Sequence, residues 1–260
     1  MSNPRHFFLG SLPFDNAGRA ISFVKRYSDH LPFLPQLPRA NKNEDMIQQM
    51  LCGFKSGRWD RNASICLAPF FSAFSKATKV KVQMGGPFTL ARVLNRPLQD
   101  IVGDWLLLLR NLVEEFRGKG FKGQLWVQID EPMWSEREPF PSAYDGFLGA
   151  AKLLDSKLLL GIHSCASHRP AFSSHLWSLC HFFSFDFLQS PLTGKEDDFL
   201  KTALQDEKFL IAGVYDKRKG PILGNLGPFA SHPQVFVSSP CGLAGWTEEE
   251  MENTFSRLQG

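Results

Sequence analysis

Short apolar runs alternate along the chain with stretches of helical period. The runs, rich in β-branched and aromatic residues, cover residues 6–12, 31–37, 80–84, 124–129, 157–162, 181–187, 209–214 and 235–238. Helix-forming segments lie between them at 17–27, 44–51, 98–116, 142–154, 170–179, 196–205 and 248–258. Strands apolar on both faces and separated by helices predict a parallel sheet. Eight such units in 260 residues predict an α/β fold, a single closed (β/α)8 TIM barrel that makes one domain of residues 1–260. Two stretches depart from the rhythm. Residues 56–74 are too long for a connection and predict an excursion after the second helix, a hairpin or a lid. Residues 220–232 carry Gly, Pro and Asn where a seventh helix belongs, so that helix is expected to be short or irregular.

Composition narrows the function classes. Net charge is only +3 and the densest basic run is Lys217-Arg218-Lys219. That is too short for a nucleic-acid footprint, so no nucleic-acid partner is expected. The four-residue run Leu106–Leu109 is far below the ~18 apolar residues of a membrane span, and no membrane association is expected. The opening Met1-Ser-Asn-Pro-Arg-His lacks a charged region followed by an apolar stretch, so no secretory signal is expected. Five widely spaced cysteines, an odd number, predict reduced thiols and a cytoplasmic location.

In a barrel of this kind the chemistry gathers at the C-terminal ends of the strands. Those ends carry Gly10-Ser11, Gln36, Met84-Gly85-Gly86-Pro87, Asp130-Glu131-Pro132, His163-Ser164-Cys165, Asp186, Tyr215-Asp216 and Ser239-Pro240-Cys241-Gly242. On a strand, residues two apart share a side, so His163 and Cys165 can face one metal ion. An isolated H-x-C is equally a structural pair. Cys241, at the end of another strand, converges on them, and thiolate with imidazole suits zinc. Cys52, Cys66 and Cys180 read as core or peripheral residues. Asp130 and Glu131 are adjacent on an extended strand, so at most one lines the barrel mouth and the other holds a loop. Gly10-Ser11 and Gly85-Gly86 offer backbone N–H groups to a carboxylate, or are simple turns.

The strings Gly10-Ser-Leu-Pro13, Gly86-Pro-Phe-Thr-Leu-Ala91, Val127-Gln-Ile-Asp-Glu-Pro132, His163-Ser-Cys165 and Cys241-Gly-Leu243 resemble the catalytic barrel of cobalamin-independent methionine synthase. They resemble more distantly its relatives, the uroporphyrinogen decarboxylases and corrinoid-dependent methyltransferases. The similarity runs from Phe8 to Thr247, and the chain looks like a short member with one barrel instead of two. The resemblance implies a zinc held by His163, Cys165, Asp186 and Cys241. The family usually has Glu at the position of Asp186, which is one methylene shorter. Direct ligation after a small shift, ligation through water, and no ligation are the alternatives there. The resemblance further implies an amino-acid substrate held at its carboxylate by Gly10 and Ser11 and at its amine by Asp130, with Glu131 in the same substrate-binding set. A second amine-gripping carboxylate of the family has Gln36 or Glu44 as its counterpart.

The implied reaction is methyl transfer to a thiol such as homocysteine, forming methionine, with Asp130 and the displaceable Asp186 as catalytic residues. The donor is a folate or a methyl-corrinoid protein. Two other readings stand beside it. One is a decarboxylase-like barrel acting on a tetrapyrrole, which would use no zinc and want basic residues. The other is a non-catalytic descendant that keeps the barrel as a binding module.

Overall fold

The computed structural model of the chain describes residues 5–59, 64–134, 142–165, 176–192, 197–205 and 208–256. Its centre is a curled parallel sheet of seven strands with nine α-helices among the described residues. The strands are β1 (Arg5–His6), β2 (Lys79–Gly85), β3 (Gln124–Asp130), β4 (Leu158–Ser164), β5 (Phe182–Asp186), β6 (Phe209–Gly213) and, after a small hairpin of β7 (Tyr215–Asp216) and β8 (Gly220–Pro221), β9 (Val235–Ser238). Their order is β1-β9-β6-β5-β4-β3-β2, every pair parallel.

The sheet does not close into the expected barrel: between its edge strands β1 and β2 runs the segment 31–37, which makes only isolated bridges, to Lys81 of β2 and to Ser11 beyond the end of β1. Lys81 N–H donates to Pro32 O, and Leu34 N–H donates to Lys81 O. On the other side Gln36 N–H donates to Gly10 O, and Leu12 N–H donates to Gln36 O. The expected second strand is therefore present as an extended link making isolated bridges to both neighbours. Pro32 and Pro35 explain why it is no regular strand, since each removes a backbone donor.

Alternation sorts the side chains into two apolar bodies. Outward-facing residues such as Val82, Val127, Ile129, Leu160 and Phe183 pack under the helices, where Trp105 of α5 (Leu98–Gly118) donates its indole N–H to Gly85 O at 2.7 Å. A second cluster, Phe7, Leu9, Trp126, Phe182, Ile211 and Phe236, fills the concave side of the sheet. Trp126 and Phe182 stack there with ring centres 5.2 Å apart. The concave side is thus a packed core at the N-terminal ends of the strands.

Several elements differ from the pattern-based expectation. The excursion 56–74 ends in a helix, α3 (Leu67–Phe74), in place of a hairpin; Leu67 and Phe70 anchor it in the core. A helix α4 (Pro87–Leu94), unforeseen, follows β2 directly. The other helices lie where periodicity placed them: α1 (Ala17–Tyr27), α2 (Met46–Ser56), α6 (Ala143–Lys152), α7 (Leu176–Leu179), α8 (Asp197–Gln205) and α9 (Glu248–Ser256). Residues 170–175 of the expected fifth helix lie outside the described residues. The irregular stretch 220–232 forms a 3-10 segment, Leu223–Ser231, interrupted at Gly227. No helix among the described residues is long and apolar enough to cross a membrane.

Two half-buried histidines are expected to make this fold acid-sensitive. Burial lowers His6 to about 4, aided by the charge of nearby His30. Burial lowers His181 to about 4 as well, and its Nδ1 accepts Leu160 N–H at 3.1 Å, which needs the neutral ring. A base depressed below its unfolded value of 6.5 contributes stability present above pH 6.5 and lost as pH falls through 4. Urea midpoints should therefore drop across that window, and a His6→Gln, His181→Gln double variant should show a flatter profile.

Candidate functional site

Going up the concave face, side chains change from apolar to polar. Trp126, Gln128 and Asp130 share that face of β3, as do Leu159, Gly161 and His163 on β4, and Phe182, Ser184 and Asp186 on β5. At the C-terminal ends lies a cavity of about 220 Å³ lined by Ser11, Gln36, Asp130, His163, Cys165 and Cys241, with Glu44 and Gln83 on its wall. Pockets for drug-sized ligands run to ~300–1,000 Å³, so this one suits a small metabolite. Among the described residues its lining has no Lys or Arg.

The sharpest grouping is imidazole with two sulfurs. His163 Nε2 lies 3.2 Å from Cys165 Sγ, and Cys165 Sγ lies 3.7 Å from Cys241 Sγ. His163 also hydrogen-bonds Cys241. On its far side His163 Nδ1 meets Ser184 Oγ at 2.9 Å. The contact with Ser184 holds the ring with Nε2 toward the sulfurs, which is how outer partners orient metal-binding histidines. The sulfur pair shares its protons unequally. Hydrogen bonds from Cys165 and then His163 hold Cys241 well below an ordinary thiol, and the same contact with Cys241 pushes Cys165 up.

This donor set fits zinc. Bond lengths of ~2.3 Å to sulfur and ~2.0–2.1 Å to nitrogen, tetrahedrally arranged, put two sulfurs ~3.8 Å apart and sulfur and nitrogen ~3.5 Å apart. The observed 3.7 and 3.2 Å are close to both. Among the described residues no group of three or more His, Cys, Asp and Glu side chains stands as a ready-made metal cage. The trio is drawn together by its own hydrogen bonds, and a metal ion would take the place of the shared thiol protons.

Asp130 is buried beside this trio and lines the cavity; Gln128 Nε2 donates to it at 2.5 Å. Burial raises its pKa, while His163 and Lys81 oppose the shift. Lys81 lies fully buried below, its ammonium donating to Phe8 O at 2.8 Å and Leu9 O at 2.7 Å. Ser11 faces the cavity beside Gly242. Gly10, by contrast, supplies conformation: at φ 122 it admits no other residue cheaply, and a Cβ there would run into the Gln83 amide. Gln36 and Glu44 both reach the cavity wall, but Glu44 spends its carboxylate on Leu37 N–H at 2.6 Å and on Ile65 N–H.

Two residues of the expected set point elsewhere. Glu131 is fully buried on the opposite face from Asp130, as strand alternation demands. It accepts Phe88 N–H at 3.0 Å and Thr89 N–H at 2.7 Å at the start of α4, and the Tyr144 hydroxyl of α6. A Cβ on Gly86 would strike this carboxylate, so only glycine fits the turn before α4. Glu131 is thus placed as a helix cap away from the cavity. Asp186 has the inward alternation, yet its carboxylate is taken up by its own turn. Oδ1 accepts Leu188 N–H at 2.8 Å and Gln189 N–H at 3.0 Å, and Oδ2 accepts Gln189 Nε2 at 2.7 Å. The cavity lining does not include it.

Sequence reasoning missed Ser184, Gln83, Gln128 and Tyr144. Ser184 could have been found by register, since it pairs with His163 across β4 and β5. No protein-family model matches the chain, and no curated protein matches it.

Proposed function

We propose that the chain is a zinc-dependent methyltransferase acting on a small amino-acid thiol of the homocysteine kind, built on a (β/α)8 barrel. The observation that carries this reading is the convergence of His163, Cys165 and Cys241 within 3.7 Å at one end of a cavity whose wall holds Asp130. Support for the barrel comes from the segment 31–37, whose bridges to Ser11 and to Lys81 of β2 lie where an eighth strand would stand. When bound, zinc would acidify an incoming thiol and leave it nucleophilic, because two thiolates already give the site negative charge.

The chain's own groups do the rest. His163, Cys165 and Cys241 would hold the metal, with Ser184 fixing the ring of His163. Asp130, which among the described cavity carboxylates accepts no backbone N–H, pairs with the substrate ammonium, and the Ser11 hydroxyl receives the substrate carboxylate. A methylfolate or methyl-corrinoid protein would present the methyl group at the cavity mouth. The cytoplasm suits such a site, since its thiols must stay reduced. A tetrapyrrole decarboxylase needs basic side chains for several carboxylates, and among the described residues the cavity lining has no Lys or Arg.

The test is direct. Zinc-loaded protein with homocysteine and methylcobalamin or methyltetrahydrofolate should form methionine; a binding module would not. Asp130→Asn should weaken homocysteine binding by roughly 10- to 150-fold, the worth of a charge-assisted hydrogen bond of about 1.5–3 kcal/mol, with zinc content unchanged. Equal loss of zinc and substrate would make Asp130 a metal neighbour instead.

A further inference from the structure

We propose that Cys165 and Cys241 form a thiol–disulfide exchange site, oxidised in the metal-free chain by a small disulfide of the glutathione kind. Their sulfurs stand 3.7 Å apart, and a disulfide needs about 2.05 Å, so closing the bond takes less than about 2 Å of travel. Each cysteine lies just beyond a strand end, Cys165 after β4 and Cys241 after β9, where no ladder hydrogen bond resists that travel. In the sheet order β6 and β5 stand between those strands, so the bond would span the cavity mouth. Cys241 is exposed and Cys165 half-buried, whereas Cys66 and Cys180 are buried. An incoming disulfide therefore meets Cys241 first, with Cys165 behind it in place to resolve.

The exchange balances without another reactant. The Cys241 sulfur attacks one sulfur of glutathione disulfide, the S–S bond breaks, and one glutathione leaves carrying the Cys241 proton. The Cys165 sulfur then attacks Cys241 Sγ and expels the second glutathione, which takes the Cys165 proton. Two protein thiols are oxidised by two electrons, and one small disulfide becomes two thiols. The bond consumes two of the three donors described above, so disulfide and metal compete for the same sulfurs. The inference uses those atoms but does not depend on methyl transfer.

The experiment treats the metal-free 260-residue chain with glutathione disulfide and maps its peptides without reduction. The expected product is a linked Cys165–Cys241 pair, lighter by the two thiol hydrogens, free of retained glutathione and reversed by excess reduced glutathione. Cys52, Cys66 and Cys180 should still alkylate as thiols. A Cys165→Ser variant should stop with one glutathione held on Cys241. A parent chain that stays reduced, keeps glutathione on Cys241, or links another pair would overturn the proposal. Zinc uptake by the reduced chain is measured separately. A chain that links but takes no zinc loses the methyltransferase reading alone, and one that takes zinc but does not link loses this inference alone.

Discussion

Replacing Cys241 by Ala is expected to strip the chain of tightly held zinc while leaving it folded. Cys241 is exposed and follows a strand end, so truncation removes no core packing and should change stability by no more than about 0.5 kcal/mol. For the metal the same change is severe. It removes the sulfur that the surrounding hydrogen bonds hold most nearly as thiolate, and leaves one thiol and one imidazole. Outer partners of metal ligands are worth 10–100-fold in affinity, so loss of a direct ligand should exceed about 100-fold. Ser184→Ala, which frees the ring of His163, should cost roughly 10–100-fold by the same rule. Asp186→Ala should keep the metal, because that carboxylate is committed to Leu188 and Gln189. Competition with a chromogenic chelator reads all three. Full zinc occupancy in both Cys165→Ala and Cys241→Ala would refute the site.

Glu131→Ala should act on the fold instead. The carboxylate is fully buried and receives two helix N–H groups and the Tyr144 hydroxyl. Alanine removes the acceptor of the Phe88 and Thr89 N–H groups in a closed space, a loss of about 3–5 kcal/mol. That is a large share of the ~5–15 kcal/mol that keeps a domain folded. Glu131→Gln should lose less, since its amide oxygen still accepts the helix N–H groups. Burial also raises Glu131 from 4.5 to about 7, so its contribution is full below pH 4.5 and declines as pH rises through 7. The Gln variant should lack that decline. A denaturation midpoint for Glu131→Ala equal to the parent's would show that the cap carries no stability.

The strands were legible as short runs with an unbroken apolar outward face, although their buried inward faces also carry Lys81, Gln83 and Gln128. Residues 80–84 and 124–129 fall inside β2 and β3 for this reason. The segment 31–37 is also largely apolar, but its two prolines cannot donate, and only the folded chain shows the bridges that remain. Helix α4 escaped notice because it begins directly after the Gly85-Gly86 turn and its one local signal is Pro87 at the first helical position. In the site, the side-sharing of His163 and Cys165 and the opposite faces of Asp130 and Glu131 follow from alternation alone. The direction of Asp186 does not, since the N–H groups of Leu188 and Gln189 decide it and nothing in their identity announces the turn. Cys241 lies outside any strand, and its approach to Cys165 is set by how the sheet curls.

The central claim is that a thiol substrate reaches a metal held by His163, Cys165 and Cys241. Replacing zinc by cobalt makes the sulfur ligands visible through their charge-transfer absorption. Adding homocysteine to the cobalt-substituted protein should strengthen that band, and Asp130→Asn should shift the response to higher homocysteine concentration without changing the starting spectrum. A spectrum that homocysteine leaves unchanged would mean that the thiol does not reach the metal, and would contradict the account.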